Sequence, residues 1–163
     1  MINVRTIKPE DCPACLEIYN WYIENTTYTL EFDSLTEAQF LERIERISSS
    51  YPYIVCEEDG RVLGYSYLDP FGVRKGYRYT CDLAIYVDRN CRKKGVGKAL
   101  MEEILRRGRE QGLRDVIAVI TDENENSLAF HRHMGFKEAG RLNGVADKFG
   151  RRFGVVYMQK TIA

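Results

Sequence analysis

Residues 92–98, Arg-Lys-Lys-Gly-Val-Gly-Lys, combine glycine backbone with cationic side chains in the spacing R-x-x-G-x-G. Gly95 and Gly97 can adopt backbone angles closed to other residues and let a ligand approach the main chain closely. Downstream, Leu100, Ile104 and Leu105 fall at helical spacing, so a helix starts at these glycines. The N–H groups of its first turn lack intrahelical acceptors and stand at the positive end of the helix dipole. Lys93, Lys94, Gly95, Val96, Gly97 and Lys98 then form a candidate cradle for a pyrophosphate, with Arg92 adding charge. Two nucleotide loops fail on specific residues. A Walker loop needs a glycine where Arg92 stands and a magnesium-holding hydroxyl where Ala99 stands; a dinucleotide loop needs a third glycine, but Ala99 and Leu100 follow Gly97. An anionic cofactor of another kind is implied, and a basic turn that binds nothing is the plainer alternative.

Just upstream, Thr80-Cys81-Asp82-Leu83-Ala84-Ile85-Tyr86-Val87 is an apolar run rich in β-branched and aromatic residues, a buried strand. Asp82 is its only carboxylate, and an ionisable group there is costly unless it is partnered or faces a cleft.

These groups need elements to position them. Ile2 to Ile7 alternates as a half-buried first strand, and Pro9, Glu10 and Asp11 open a helix running to about Asn25. Asn25 to Leu30 is too β-branched for helix and reads as a loop. Ser34 with Glu37 reads as a capping box for a second helix through Ile47, with Leu35, Phe40, Ile44 and Ile47 as its apolar stripe. Tyr53–Glu57 and Val62–Leu68 form a hairpin across Asp59-Gly60, and Asp69 to Arg78 is a loop. The helix from about Gly95 to Gln111 ends at Gly112, and Val116 to Ile120 is a fully apolar strand. Asp122 to Ser127 caps a short helix, Leu128 to Met134. Phe136 to Leu142 and Phe153 to Lys160 are the last strands, around the turn Lys148-Phe149-Gly150-Arg151.

The length of 163 residues fits a single domain, 1–163, and the 24 Lys+Arg against 24 Asp+Glu leave no field that would hold nucleic acid or an anionic membrane. No run approaches a membrane span and no signal-peptide pattern follows Met1, so the expected location is cytoplasmic. Five cysteines, an odd number, suit free thiols in a reducing compartment. Cys12-Pro13-Ala14-Cys15 spells C-x-x-C, but both cysteines share a helical face with Leu16 and Tyr19 and read as core packing ahead of redox chemistry. No cysteine or histidine set has metal-ligand spacing; His131 and His133 point to different helix faces.

The loop at Arg92, Gly95 and Gly97, placed between a strand and a helix, resembles the acetyl-CoA loop [QR]-x-x-G-x-[GA] of the GNAT superfamily of N-acetyltransferases. The element order β-α-α-β-β-β-α-β-α-β-β resembles the α/β GNAT acyl-CoA N-acyltransferase fold, a mixed sheet with helices on both faces. Ile18-Tyr19-Asn20, Asn25-Thr26-Thr27, Gly64-Tyr65, Pro70-Phe71, Tyr77-Arg78-Tyr79-Thr80, Ile85-Tyr86-Val87, Lys148-Phe149-Gly150 and Met158-Gln159 resemble the phosphinothricin (bialaphos-resistance) acetyltransferase group.

That resemblance implies an acetyl-CoA-dependent N-acetyltransferase acting on the amine of a small amino-acid analogue such as phosphinothricin or methionine sulfoximine, by direct attack and without a metal. By resemblance, the main chain of Ile85, Tyr86 and Val87 binds the pantetheine and acetyl group. Asp82 stands where the group usually has a Glu general base, one methylene longer, so it acts as base directly, through a water, or as an orienting partner. Asn124 to Phe136 is similar to the superfamily's second cofactor segment, which gives Asn124 a bond to pantetheine. It makes His131 a proton donor to the departing thiolate or its neighbour. Gly72, Val73, Arg74 and Tyr77 occupy the loop where the group holds the substrate, with Arg74 either a carboxylate clamp or a solvated side chain. A homodimer is expected by analogy. One departure is Gly154, where relatives commonly carry Asp. The alternatives are a GNAT-fold enzyme for another amine (polyamine, antibiotic or protein N-terminus), a non-catalytic acyl-CoA-binding module and, more remotely, a C-x-x-C redox protein.

Overall fold

Alternation and turn chemistry place seven strands in one sheet of the computed structural model, which describes residues 1–91, 93 and 95–163. They are β1 (Asn3–Thr6), β2 (Tyr53–Glu58), β3 (Arg61–Pro70), β4 (Thr80–Val87), β5 (Asp115–Thr121), β6 (Lys137–Lys148) and β7 (Arg151–Thr161), in spatial order β1-β2-β3-β4-β5-β7-β6. The helices are α1 (Cys12–Asn25), α2 (Glu37–Ser48), α3 (Val96–Glu110) and α4 (Glu125–His133). The sequence-derived order of strands and helices is the order observed. All ladders are antiparallel except β4 with β5.

Two cores lie on opposite faces of the sheet. Leu100, Met101 and Ile104 of α3 are fully buried against Ile54, Leu68, Val116 and Met158, each apolar side chain contributing roughly 1.5–3 kcal/mol. On the other face, Cys15, Ile23, Phe40, Ile44 and Ile47 of α1 and α2 cover Tyr53, Val55 and Tyr65. Cys12 and Cys15 belong to this second core, and burial pushes both thiols up, away from the reactive thiolate.

Several boundaries differ from the sequence reading: α4 spans Glu125–His133 where the sequence reads Leu128 to Met134, β7 spans Arg151–Thr161 where it reads Phe153 to Lys160, and three further differences have a physical reason. The capping box of α2 is Thr36 with Gln39: Thr36 Oγ1 accepts from Gln39 N (3.2 Å) and Gln39 Oε1 accepts from Thr36 N (2.9 Å). Ser34 instead bonds the Glu24 carboxylate. Either Ser-x-x-Glu or Thr-x-x-Gln satisfies the pattern, and the chain direction entering the helix selects one. Strand β3 continues through Asp69 and Pro70, opposite Asp82 and Cys81; a proline at a strand end removes no needed donor. Strand β6 runs on to Lys148, because bulges between Glu138 and Gly140 and between Leu142 and Ala146 break the alternation without breaking the ladder.

Thr36→Ala should cost about 1 kcal/mol in urea unfolding, the usual loss of an N-cap, while Ser34→Ala stays within about 0.5 kcal/mol of the parent. The reverse ranking would restore the Ser34 box.

Candidate active site

β4 is paired with β3 along seven residues, Cys81 to Val87, but with β5 only at Thr80, Cys81 and Asp82. Beyond Asp82 the two strands part. The edge that Leu83 to Val87 turn toward β5 therefore has no ladder partner. A cleft of about 420 Å³ fills the gap, lined by Leu83, Ala84, Ile85, Tyr86 and Val87 on one side, Ala118, Val119 and Ile120 on the other, and Gly97, Asn124, Ser127, Phe130 and His131 at the helix ends.

The strand is fixed by its side chains. Tyr86 packs its ring against Tyr19 (5.1 Å), Tyr22 (5.4 Å) and Tyr65 (5.6 Å), and the Tyr22 hydroxyl donates to Val87 O at 2.6 Å. Gly64 lets β3 come close, since a Cβ there would lie 2.8 Å from Tyr86 O.

At the mouth, Gly95 caps α3 with φ of 89°, a left-handed conformation suited to glycine. A Cβ on Gly97 would make van der Waals contact with the Phe130 ring at 3.4 Å, and Gly97 itself lines the cleft. Val96 is buried and anchors the turn. Lys93 pairs with Glu58 (3.3 Å) and Lys98 with Glu102 (3.8 Å), both on the surface. Arg92 and Lys94 lie outside the described residues. A second helix start faces the cleft at α4, where Asn124 Oδ1 accepts from Ser127 N at 3.2 Å.

Asp82 sits at the fork, its Cα opposite Ile117 in the last β4–β5 pair, one residue before the cleft lining begins at Leu83 and not itself part of that lining. Its Oδ1 is buried and without a hydrogen-bond partner among the described residues. Burial first, and the neighbouring Asp69 carboxylate second, push its carboxyl up to about 7.

Comparisons with known proteins identify the family and the fold. Residues 15–136 match the profile of the acetyltransferase (GNAT) family. The chain belongs to that family. It is 32% identical over 162 residues to the phosphinothricin N-acetyltransferase of Alcaligenes faecalis, covering 98% of this chain and 82% of that one. It is 32% identical over 159 residues to an L-methionine sulfoximine/L-methionine sulfone acetyltransferase of Pseudomonas aeruginosa, covering 96% and 92%. A phosphinothricin acetyltransferase from Sinorhizobium meliloti, solved in complex with AcCoA, superposes with a TM-score of 0.94 at 33% identity, covering 98% of this chain and 88% of that one.

In this GNAT-family chain, Ile85, Tyr86, Val87, Gly97, Asn124 and His131 meet at one cleft. Gly72, Val73, Arg74 and Tyr77 do not line it. Val73 is fully exposed, Arg74 O accepts from Tyr77 N, and the Tyr77 ring packs on Phe71. Tyr22, Tyr28 and Phe130 line the cleft without having been singled out in the sequence, where Tyr22 reads only as core on the apolar face of α1. Asp69 was equally hidden, because strand register decides that it faces Asp82. The departure at Gly154 has a packing reason. Its N–H donates to Asp122 Oδ2 at 3.0 Å, and a Cβ would lie 2.4 Å from Leu142 O.

His131 is buried between Phe130 and Phe136, with Nδ1 2.8 Å from Ser127 O. A carbonyl only accepts, so Nδ1 carries the proton and Nε2 keeps its lone pair. Burial holds the imidazolium form below its ordinary value of 6.5. Two-bond ¹⁵N–¹H spectra should place the proton on Nδ1 and show the ring titrating below pH 6.5. The unfolded chain takes up that proton first, so this contribution to stability is present above pH 6.5 and is lost as pH falls through the folded-state value.

Proposed function

We propose that this chain moves the acetyl group of acetyl-CoA to the α-amine of a small amino-acid analogue of the phosphinothricin or methionine sulfoximine class. The carrying observation is the orphaned carboxylate of Asp82 at the point where β4 leaves β5. On this reading Asp82 is a base at the fork, one residue before Leu83, where the cleft lining begins, and Gly97 at the start of α3 borders the same cleft.

The residues present fit the cofactor. The unladdered edge of Leu83 to Val87 offers main-chain groups to the pantetheine amides, and the turn at Gly95 and Gly97 offers N–H groups to the diphosphate. By their place in the sequence Lys93 and Lys98 flank that turn, and Asn124 borders the same cleft. Bound so, acetyl-CoA supplies the thioester carbonyl that the amine attacks.

An ammonium has no lone pair to attack with. Asp82 takes one of its protons, and its buried Oδ1 is an acceptor awaiting such a donor. The C–N bond then forms and the C–S bond breaks. Of the two protons the ammonium loses, one leaves through Asp82 to solvent and one ends on the CoA sulfur. His131, held neutral with Nδ1 occupied, serves as a neighbour of that sulfur; the reading of it as proton donor has less support from its hydrogen bond. Backbone N–H groups on the open edge of β4 polarise the carbonyl. The amine and its carboxylate-bearing body lie on the α1/α2 side of the sheet, where Asp82 and Tyr86 point.

Thiol release from acetyl-CoA should be strong with methionine sulfoximine or phosphinothricin and weak with polyamines, aminoglycosides and simple amines. Release confined to those other amines would replace the substrate class, and binding without release on any amine would favour a non-catalytic module. With wild type, kcat/KM should fall as pH drops through about 7, since the base must be ionised. Asp82→Asn should lose roughly 10²–10⁴-fold in kcat. The same substitution should raise the urea midpoint at pH 8. The folded carboxyl titrates near 7 against an ordinary 3.8, so its contribution to stability is present below pH 3.8 and is lost as pH rises through about 7.

A further inference from the structure

We infer that Asp69 is a positioning residue for the proton chemistry of Asp82: the two carboxylates face each other across β3 and β4 as a proton-sharing pair, biased by Arg46. This rests on the reading of Asp82 as the base.

The register sets Asp69 directly opposite Asp82, just as Tyr65 lies opposite Tyr86 and Tyr67 opposite Ala84. The Tyr65 and Tyr86 rings are 5.6 Å apart on the α1/α2 face, which fixes the face of Asp69 and Asp82 by alternation. Side chains directly opposite in an antiparallel ladder have Cβ atoms about 4.5–5.5 Å apart, and like charges there repel. Two ionised carboxylates at that spacing in a half-buried site are unfavourable, so one proton is retained between them.

The surroundings decide which member keeps it. Arg46 of α2 reaches Asp69 Oδ1 at 3.7 Å and gives that carboxylate a counter-ion, while Asp82 Oδ1 has no partner among the described residues. Burial raises Asp69 as well, but Arg46 opposes that rise while nothing among the described residues opposes it at Asp82, so the proton resides on Asp82 and Asp69 takes the charge. Burial raises Tyr51 and Tyr67, the latter on the same face of β3, and pushes Cys81, on the opposite face of β4, up to about 12, so these stay neutral, while the charged Arg43–Glu31 pair acts on Tyr67. Strand β5 presents Ile117. Burial alone would raise Asp82, but Asp69 is what couples its ionisation to a second, adjustable group.

The test follows the Asp82 carboxyl carbon by NMR in ¹³C-aspartate-labelled protein without substrate, alongside the pH profile of kcat/KM. Asp69→Asn should move the Asp82 midpoint and the acid limb down by roughly half a pH unit or more. Arg46→Gln should move both up, because Asp69 then repels without compensation. Midpoints unmoved in both variants, or moved in the same direction, overturn the pair. Arg46 is mostly exposed, so Arg46→Gln keeps the test decisive if Asp69→Asn folds poorly. Opposite NMR shifts with no thiol release on any amine would uphold the pair while removing the acetyl-transfer reading; release with unmoved midpoints would do the opposite.

Discussion

Strand β4 keeps its hydrogen bonds to β3 and gives up those to β5 after Asp82. Buried main-chain donors and acceptors are normally paired, so a strand edge left open inside a sheet needs a reason to stay open. Here the reason is that the two strands are held apart from both faces. Phe130 and Leu128 of α4 pack into the α3-side core, and the tyrosine cluster of α1, β3 and β4 pins Tyr86 on the other side. The opening is thus a property of a packed scaffold, and groups offered along it are preorganised rather than recruited on binding.

The same parting has an electrostatic consequence. At the fork, Asp82 is close enough to the sheet interior to be desolvated, and its buried Oδ1 has no hydrogen-bond partner among the described residues. One residue earlier, Cys81 is fully buried and apolar in its surroundings; from Leu83 on, the chain lines the cleft. The chain carries no net charge, so the sign of each end of the cleft is set locally: carboxylates at the fork, lysines and helix N–H groups at the mouth.

How much of this the sequence could say depends on the range of the interaction. The glycine turn, the helices and the central strand follow from local patterns, and the residues at Ile85 to Val87, Gly97, Asn124 and His131 do meet in one place. The capping box of α2 was ambiguous because Ser34-Glu37 and Thr36-Gln39 both satisfy the rule, and only the packing of the incoming chain separates them. Asp69 was invisible for a different reason: a strand that shifts by one residue turns every side chain to the other face, and no local signal near Pro70 states the register. The loop at Gly72 to Tyr77 was placed by likeness alone. Its conformation is governed by local contacts, a short turn at Lys75–Tyr77 and the Phe71–Tyr77 ring pair.

The rim of the cleft is tied by bonds that no local pattern encodes. Thr27 Oγ1 donates to Glu123 Oε1 at 2.8 Å, and Arg151 Nη1 donates to Glu123 Oε2 at 2.6 Å, linking the segment after α1 to the β5–α4 turn and to β7. Nearby, Lys148 is buried and donates to Thr29 O at 3.0 Å; burial disfavours its charged form and Glu31 favours it. Together these bonds carry the chain from Thr26 to Glu31 past the cleft, with Tyr28 among its lining residues. A buried cation on a backbone carbonyl is a costly way to fasten a loop, and its cost is offset only if the loop must be held in one place. Tyr28 brings this segment into the lining, so the ties that fix the rim also fix that wall of the cleft.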